Sequence, residues 1–200
     1  MIVLGIDPGT AITGYGVVGV GGGGGVGGGG GARGVEGGGA APRLASGPAG
    51  AFHLIECGVI RTSPRAPLAA RLKDIFDGVS ELIARHRPDT LAVEDVFYAR
   101  NVRTTLVLGH ARGVVLLAGE RAGIGVREFA PAVIKKTVVG RGGATKEQVQ
   151  FMVARLLRLK SPPRPADAAD GVACALTCVM TAASPAARVR LVRERAGAAR

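Results

Sequence analysis

From Gly19 to Ala40, 15 of 22 residues are glycine. No core can be built from such a stretch. Glycine loses the most conformational freedom on ordering and brings no side chain to bury. Any fold must therefore be assembled from the segments on either side. Residues 19–50 read as a flexible loop between two strands. Loop closure grows slowly in cost with length, so a fold can carry the insertion. The 200-residue chain has room for one domain with a real core, and a second full domain would be cramped.

The flanking segments alternate in a definite order. Residues 1–6 are apolar and end in the turn Asp7-Pro8-Gly9-Thr10, the pattern of a buried strand followed by a turn. Residues 13–20 read as a second strand, hairpin-paired to the first, and residues 52–62 as a third. Residues 67–86 carry apolar side chains at helical spacing, with Pro67 suited to the first turn. A short strand, Thr90–Glu94, ends in a carboxylate. Then come a long helix over 101–122, a strand over Gly125–Phe129 and a short helix over Pro131–Val139. A further helix over 145–157 has Thr145 as N-cap and Glu147 in its first turn. The proline-rich connector 161–165 leads to a last helix over Ala166–Ala182. Three meandering strands followed by two helix-connected strands predict an α/β fold on a five-stranded mixed sheet flanked by helices. Residues 1–183 are expected to form the domain and 184–200 a basic tail; from Pro185 onward there are five arginines and one glutamate.

Composition narrows the class. The formal net charge is +11, from 26 Lys plus Arg against 15 Asp plus Glu. That balance favours a polyanionic partner, nucleic acid being the commonest, although a merely solvated basic surface has the same charge. The three cysteines are odd in number and lack CxxC spacing, which argues against a disulfide framework or a zinc site. Cys174 and Cys178 read as small buried residues on one helix face. No apolar run reaches the roughly 18 residues of a membrane span, and the N-terminus lacks the marks of a signal peptide. A reducing cytoplasm is the expected location.

Four acids stand apart. Asp7 and Glu94 close two strands, and parallel neighbouring strands would project both from one sheet edge. Asp167 and Asp170 are three apart at the start of the last helix, so they share a face near its positive end. Singly, each has an ordinary explanation as a turn, capping or surface residue. Together, and read as lacking Lys or Arg partners, they would repel one another and need a cation. Their hard oxygens suit Mg²⁺ or Mn²⁺. Two such ions serve phosphodiester hydrolysis without a protein nucleophile. No Ser-His-Asp or Cys-His set competes with this reading.

The segments LGIDPGTAITGYGVV, CGVIRT, VEDVFYARNV, LGHARGVVLLA, VIKKTVVGRGGATKEQVQFMV and RPADAADGVACAL occur in this order. In this series the chain resembles the RuvC family of Holliday junction resolvases, the crossover junction endodeoxyribonucleases. The resemblance covers nearly everything outside the glycine tract and the tail. It implies a ribonuclease H-like fold, a homodimer, and Mg²⁺-dependent, symmetric nicking of two strands of a four-way junction during recombination and repair. Water attacks phosphorus, leaving a 5′-phosphate. It further implies Asp7, Glu94, Asp167 and Asp170 as the catalytic and metal-binding set, with Mn²⁺ as a possible substitute and two ions per site. Phe97 falls at the family's aromatic near the junction centre, able to wedge or stack against an unpaired base. Lys135 and Lys146 fall on two family lysines; with Lys136, Arg141 and Arg100 they complete the expected DNA-binding residues. A branch-migration helicase complex is the expected partner. The glycine tract replaces a short hairpin connection, and Ala11 stands where some members carry a basic residue. The alternatives are a YqgF-type nuclease, an actin-like ATPase, for which the chain is short, and a non-catalytic junction-binding protein.

Overall fold

The computed structural model describes residues 1–21, 52–95 and 102–182. Its strands are β1 (Ile2–Asp7), β2 (Ile12–Val20), β3 (Phe52–Arg61), β4 (Thr90–Glu94) and β5 (Gly125–Phe129), in the sheet order β3-β2-β1-β4-β5. The first three form an antiparallel meander, while β4 runs parallel to β1 and β5 parallel to β4. This is the expected mixed sheet. Its consequence for function is that β1, β3, β4 and β5 all end at one edge.

The central strand β1 explains its own sequence. Val3 faces one side of the sheet and Leu4 the other, and both are fully buried. A strand covered on both faces has no polar face to show, so IVLGI reads as a continuous apolar run. On one face lie α1 (Leu68–His86) and α2 (Val102–Arg121), packing Ile75, Val79, Ala111 and Val115 against Leu4, Ile6, Leu91 and Val93. On the other lie α3 (Pro131–Val139), α4 (Lys146–Leu156) and α5 (Ala166–Ala182), packing Ile134, Val138, Val153, Val172 and Leu176 against Val3 and Ala92. Each fully buried Leu or Ile contributes about 1.5–3 kcal/mol. Cys174 and Cys178 are buried free thiols in this second layer, as expected.

One helix start differs from the sequence reading. Pro67 is the N-cap of α1 and lies outside its first turn. Thr145 caps α4 with Glu147 in the first turn, as expected, and Gln148 at the third helical position completes a capping box.

The glycine tract has a defined origin even though residues 22–51 lie outside the described residues. Val20 pairs with Phe52, and the amino group of Met1 donates to the Val20 carbonyl at 3.2 Å. Asp7 pairs with Gly14 at the opposite end of the same hairpin. The insertion is thus anchored at the sheet edge away from Asp7. Replacing residues 22–50 with a two-residue Asn-Gly turn is expected to stabilise the fold by about 2 kcal/mol through loop-closure entropy. Thermal melting checks this; a fall in melting temperature would contradict a purely entropic role.

Candidate metal centre

Asp7 leaves the carboxyl end of β1 into a turn that two buried threonines hold in place. Thr13 donates to the Gly9 carbonyl at 2.7 Å, and Thr62 donates to the Thr10 carbonyl at 2.5 Å. The Thr62 backbone N–H also donates to the Ala11 carbonyl at 3.1 Å. The sequence reading passed over both threonines. Thr13 had a local signal, since a hydroxyl four residues past a glycine turn can close it; Thr62 had none, because its partner is 52 residues away.

Asp167 and Asp170 reach Asp7 because α5 lies directly on the strand backbones. A Cβ added at Gly14 would fall 1.8 Å from the Asp167 carbonyl oxygen, and one at Gly5 would fall 2.3 Å from that of Gly171. At Gly16 it would meet a Val172 methyl at 2.4 Å, and at Gly171 the Tyr15 backbone at 2.6 Å. Glycine on both sides of this contact lets helix and sheet meet without side chains between them.

The result is a compact acidic group. Asp7, Asp167 and Asp170 each offer an oxygen, and these atoms lie within 4.8 Å of one another. Such a set of hard donors fits a small divalent cation. Glu94 adjoins the group without belonging to this tight triad. It ends β4, the parallel neighbour of β1, and its carboxyl responds to the charges of Asp7 and Asp170. Burial, then Asp170, raises the Asp7 carboxyl to about 7. Burial, then Asp7, raises that of Glu94 to about 8.

The expectation that the acids lack basic partners needs correction. Lys146, at the start of α4, places Nζ 3.0 Å from Asp170 Oδ2. The Lys146 side chain is two-thirds exposed (66%), whereas that of Asp170 is only 13% exposed. The hydrogen bond to Asp170 raises the Lys146 pKa above the ordinary value, and Lys146 in turn lowers both Asp7 and Glu94. No such ion pair holds Asp7, Asp167 or Glu94 among the described residues. Asp95, beside Glu94 in sequence, has a different environment. It and Glu128 share Arg112, whose Nε lies 3.3 Å from Asp95 Oδ1.

The other expected residues divide. Lys135, half-buried on α3, is close enough to lower Glu94. Lys136 and Arg141 are exposed. Phe97 and Arg100 lie outside the described residues.

Fold and carboxylate cluster together define a ribonuclease H-like protein with an acidic group that could hold a metal ion. Comparison with known proteins narrows this. The profile of crossover junction endodeoxyribonuclease RuvC matches residues 44–178. The RuvC of Desulforamulus reducens is 42% identical over 176 residues, covering 88% of this chain and 91% of the relative. That of Halorhodospira halophila is 43% identical over 192 residues, covering 93% and 98%. Among solved structures, Thermus thermophilus RuvC superposes with a TM-score of 0.71 at 35% identity, covering 91% of this chain and 95% of that one. The same protein in complex with Holliday junction substrate also gives 0.71, at 32% identity and the same coverage. The chain belongs to the RuvC family of crossover junction endodeoxyribonucleases.

A stability test follows from the raised acids. An acid whose folded pKa exceeds its unfolded one stabilises the fold below the unfolded pKa and loses that contribution as pH rises through the folded value. For Asp7 the window runs from 3.8 to about 7. Asp7→Asn is therefore expected to raise the melting temperature of the metal-free protein at pH 8 more than at pH 5. It should also diminish the stabilisation given by Mg²⁺. Equal effects at both pH values would contradict the assignment.

Proposed function

We propose that this chain is a Holliday junction resolvase: a structure-selective endonuclease that nicks two strands of a four-way junction symmetrically, in recombination and repair. The observation that carries the reading is the convergence of carboxylates from β1, β4 and α5 at one sheet edge. Asp7, Asp167 and Asp170 would hold the divalent cation, with Glu94 completing the set; Mg²⁺ is the natural occupant, Mn²⁺ a substitute, and two ions the expected number. The bound cation supplies an activated water and neutralises charge at the scissile phosphodiester, leaving a 5′-phosphate. The chain's own residues do the rest. The fixed Asp7 turn and the glycine contact under α5 hold the acids in place before substrate arrives. Lys146 and Lys135 offset acid repulsion of the incoming backbone, while Lys136 and Arg141 provide further phosphate contacts. Phe97 would stack or wedge at the junction centre and Arg100 would contact DNA, both outside the described residues.

The Thermus structure with junction substrate supports this choice of substrate. It weighs against the YqgF-type, ATPase and purely binding alternatives. Residues 1–183 would form the nuclease domain and 184–200 a basic extension, working on DNA in the cytoplasm beside a branch-migration helicase complex. Among the described residues no helix is long and apolar enough to cross a membrane.

A homodimer is supported by α2. Val102, Leu106 and Leu117 are 74%, 61% and 51% exposed. Gly109 and Gly113 complete the stripe at helical spacing, with open space over both. A face so apolar and so bare suits a second copy of itself.

The test of activity is cleavage of a labelled four-way junction with Mg²⁺ or with EDTA. Paired symmetric nicks that need metal, with linear duplex intact, are expected; Asp7→Asn should bind the junction without cutting it. Cutting in EDTA, or equal cutting of linear duplex, would overturn the proposal. For the dimer, Leu106→Glu is expected to shift sedimentation from dimer to monomer. An unchanged dimer would place the interface elsewhere.

A further inference from the structure

We propose that Arg61, Arg65 and Arg71 form a second phosphate-binding surface, on the β3 flank of the acidic cluster, that holds a DNA backbone opposite the Lys135–Lys146 flank. The proposal rests on the junction-nuclease reading above and adds to it where a second arm of the substrate is held.

The sequence carries the first observation. Residues 61–73, RTSPRAPLAARLK, contain Arg61, Arg65, Arg71 and Lys73 and no acid. Topology carries the second. β3 is antiparallel to β2, which is antiparallel to β1, so β3 ends at the same edge as Asp7. Arg61 pairs with Ile12, and the next residue, Thr62, is bonded to the turn that follows Asp7. The arginines therefore stand at the sheet edge that carries the acidic cluster, on its β3 side, with β2 between them and β1.

Their partners, or lack of them, carry the third. Arg61 and Arg65 are exposed and make no ion pair among the described residues. Lys73 is already committed, with Nζ 2.5 Å from Asp77 Oδ2, so it is left out of the surface. Arg71 is half-buried, and its Nε donates to Thr62 Oγ1 at 3.0 Å. Thr62 in turn donates to the Thr10 carbonyl. This chain of bonds fixes the guanidinium against the Asp7 turn and leaves its terminal nitrogens without a partner among the described residues. A planar fork held at Nε with its outer nitrogens uncommitted is suited to a phosphate.

The layout fits a branched substrate. β3 and β5 are the outer strands, four strand spacings or roughly 19 Å apart. The acids lie between them and repel phosphate, while cations on both flanks attract it. A four-way junction presents more than one backbone to a single face, and two separated basic flanks can hold two of them.

The test uses the full chain carrying Asp7→Asn, so that the junction stays intact. Binding to a fluorescent four-way junction is measured across a salt series for this parent, for the added pair Arg61→Ala/Arg65→Ala, and for Arg61→Lys/Arg65→Lys. The alanine pair is expected to weaken binding about tenfold and to reduce the slope of log affinity against log salt by about 2, one for each lost phosphate contact. The lysine pair, which keeps the charges, should restore most of the slope. Unchanged affinity and slope in the alanine pair, with a parent that binds tightly, would overturn this proposal alone. A parent that binds no junction would overturn the resolvase reading and this proposal with it.

Discussion

The closeness of α5 to β1 and β2 is the constraint on which the site depends. Gly5, Gly14 and Gly16 on the sheet and Gly171 on the helix each stand where a Cβ would collide with backbone or side chain. Because of that contact, the first turns of α5 lie over the end of β1, and Asp167 and Asp170 share a space with Asp7. The price is a strip of core with no glycine side chains to bury. Ala168, Ala169, Val172, Leu176 and Val179 along α5 offset it, since all are buried. One packing contact thus fixes both the second layer of the fold and the acidic group.

Electrostatics separates acids that are already satisfied from acids that need a cation. On the other face, Glu56 accepts from Tyr15 at 2.8 Å, meets His86 Nε2 at 2.7 Å and pairs with Arg85 at 3.1 Å. Led by His86, those partners hold its carboxyl down to about 2. Asp7 and Glu94 move the opposite way, because burial and neighbouring acids oppose ionisation. Asp95 and Glu128 share the single positive charge of Arg112. Lys146 reaches Asp170 from an exposed position, which partly relieves the cluster while leaving the ammonium accessible. An acidic group with one ion-paired base for several carboxylates could hold a divalent ion.

Much of this was legible in the sequence, for physical reasons. Two-sided burial makes β1 and β4 continuous apolar runs, so the carboxylates closing them, Asp7 and Glu94, stand out. The three-residue spacing of Asp167 and Asp170 on a helix is equally local. What escaped depends on contacts distant in the chain. Lys146 and Asp170 are 24 residues apart, and Thr62 and its carbonyl partner 52. Glycines within β2 look like interruptions until α5 is laid upon them. Arg61 reads as an ordinary strand end until the sheet order puts it at the edge where β1 ends, with β2 between it and Asp7. The glycine tract reads in the sequence as a loop from Gly19, whereas Gly19 and Val20 still belong to β2, and only the β2–β3 register shows which edge the tract leaves from.

The central claim is that β1 and α5 together build one cation site. Diffraction from crystals soaked in Mn²⁺, recorded at the manganese edge, tests it most directly. The account predicts an anomalous peak bounded by the carboxylates of Asp7, Asp167 and Asp170, lost in Asp7→Asn. Manganese bound elsewhere, or a peak at this position that survives Asp7→Asn, would contradict it.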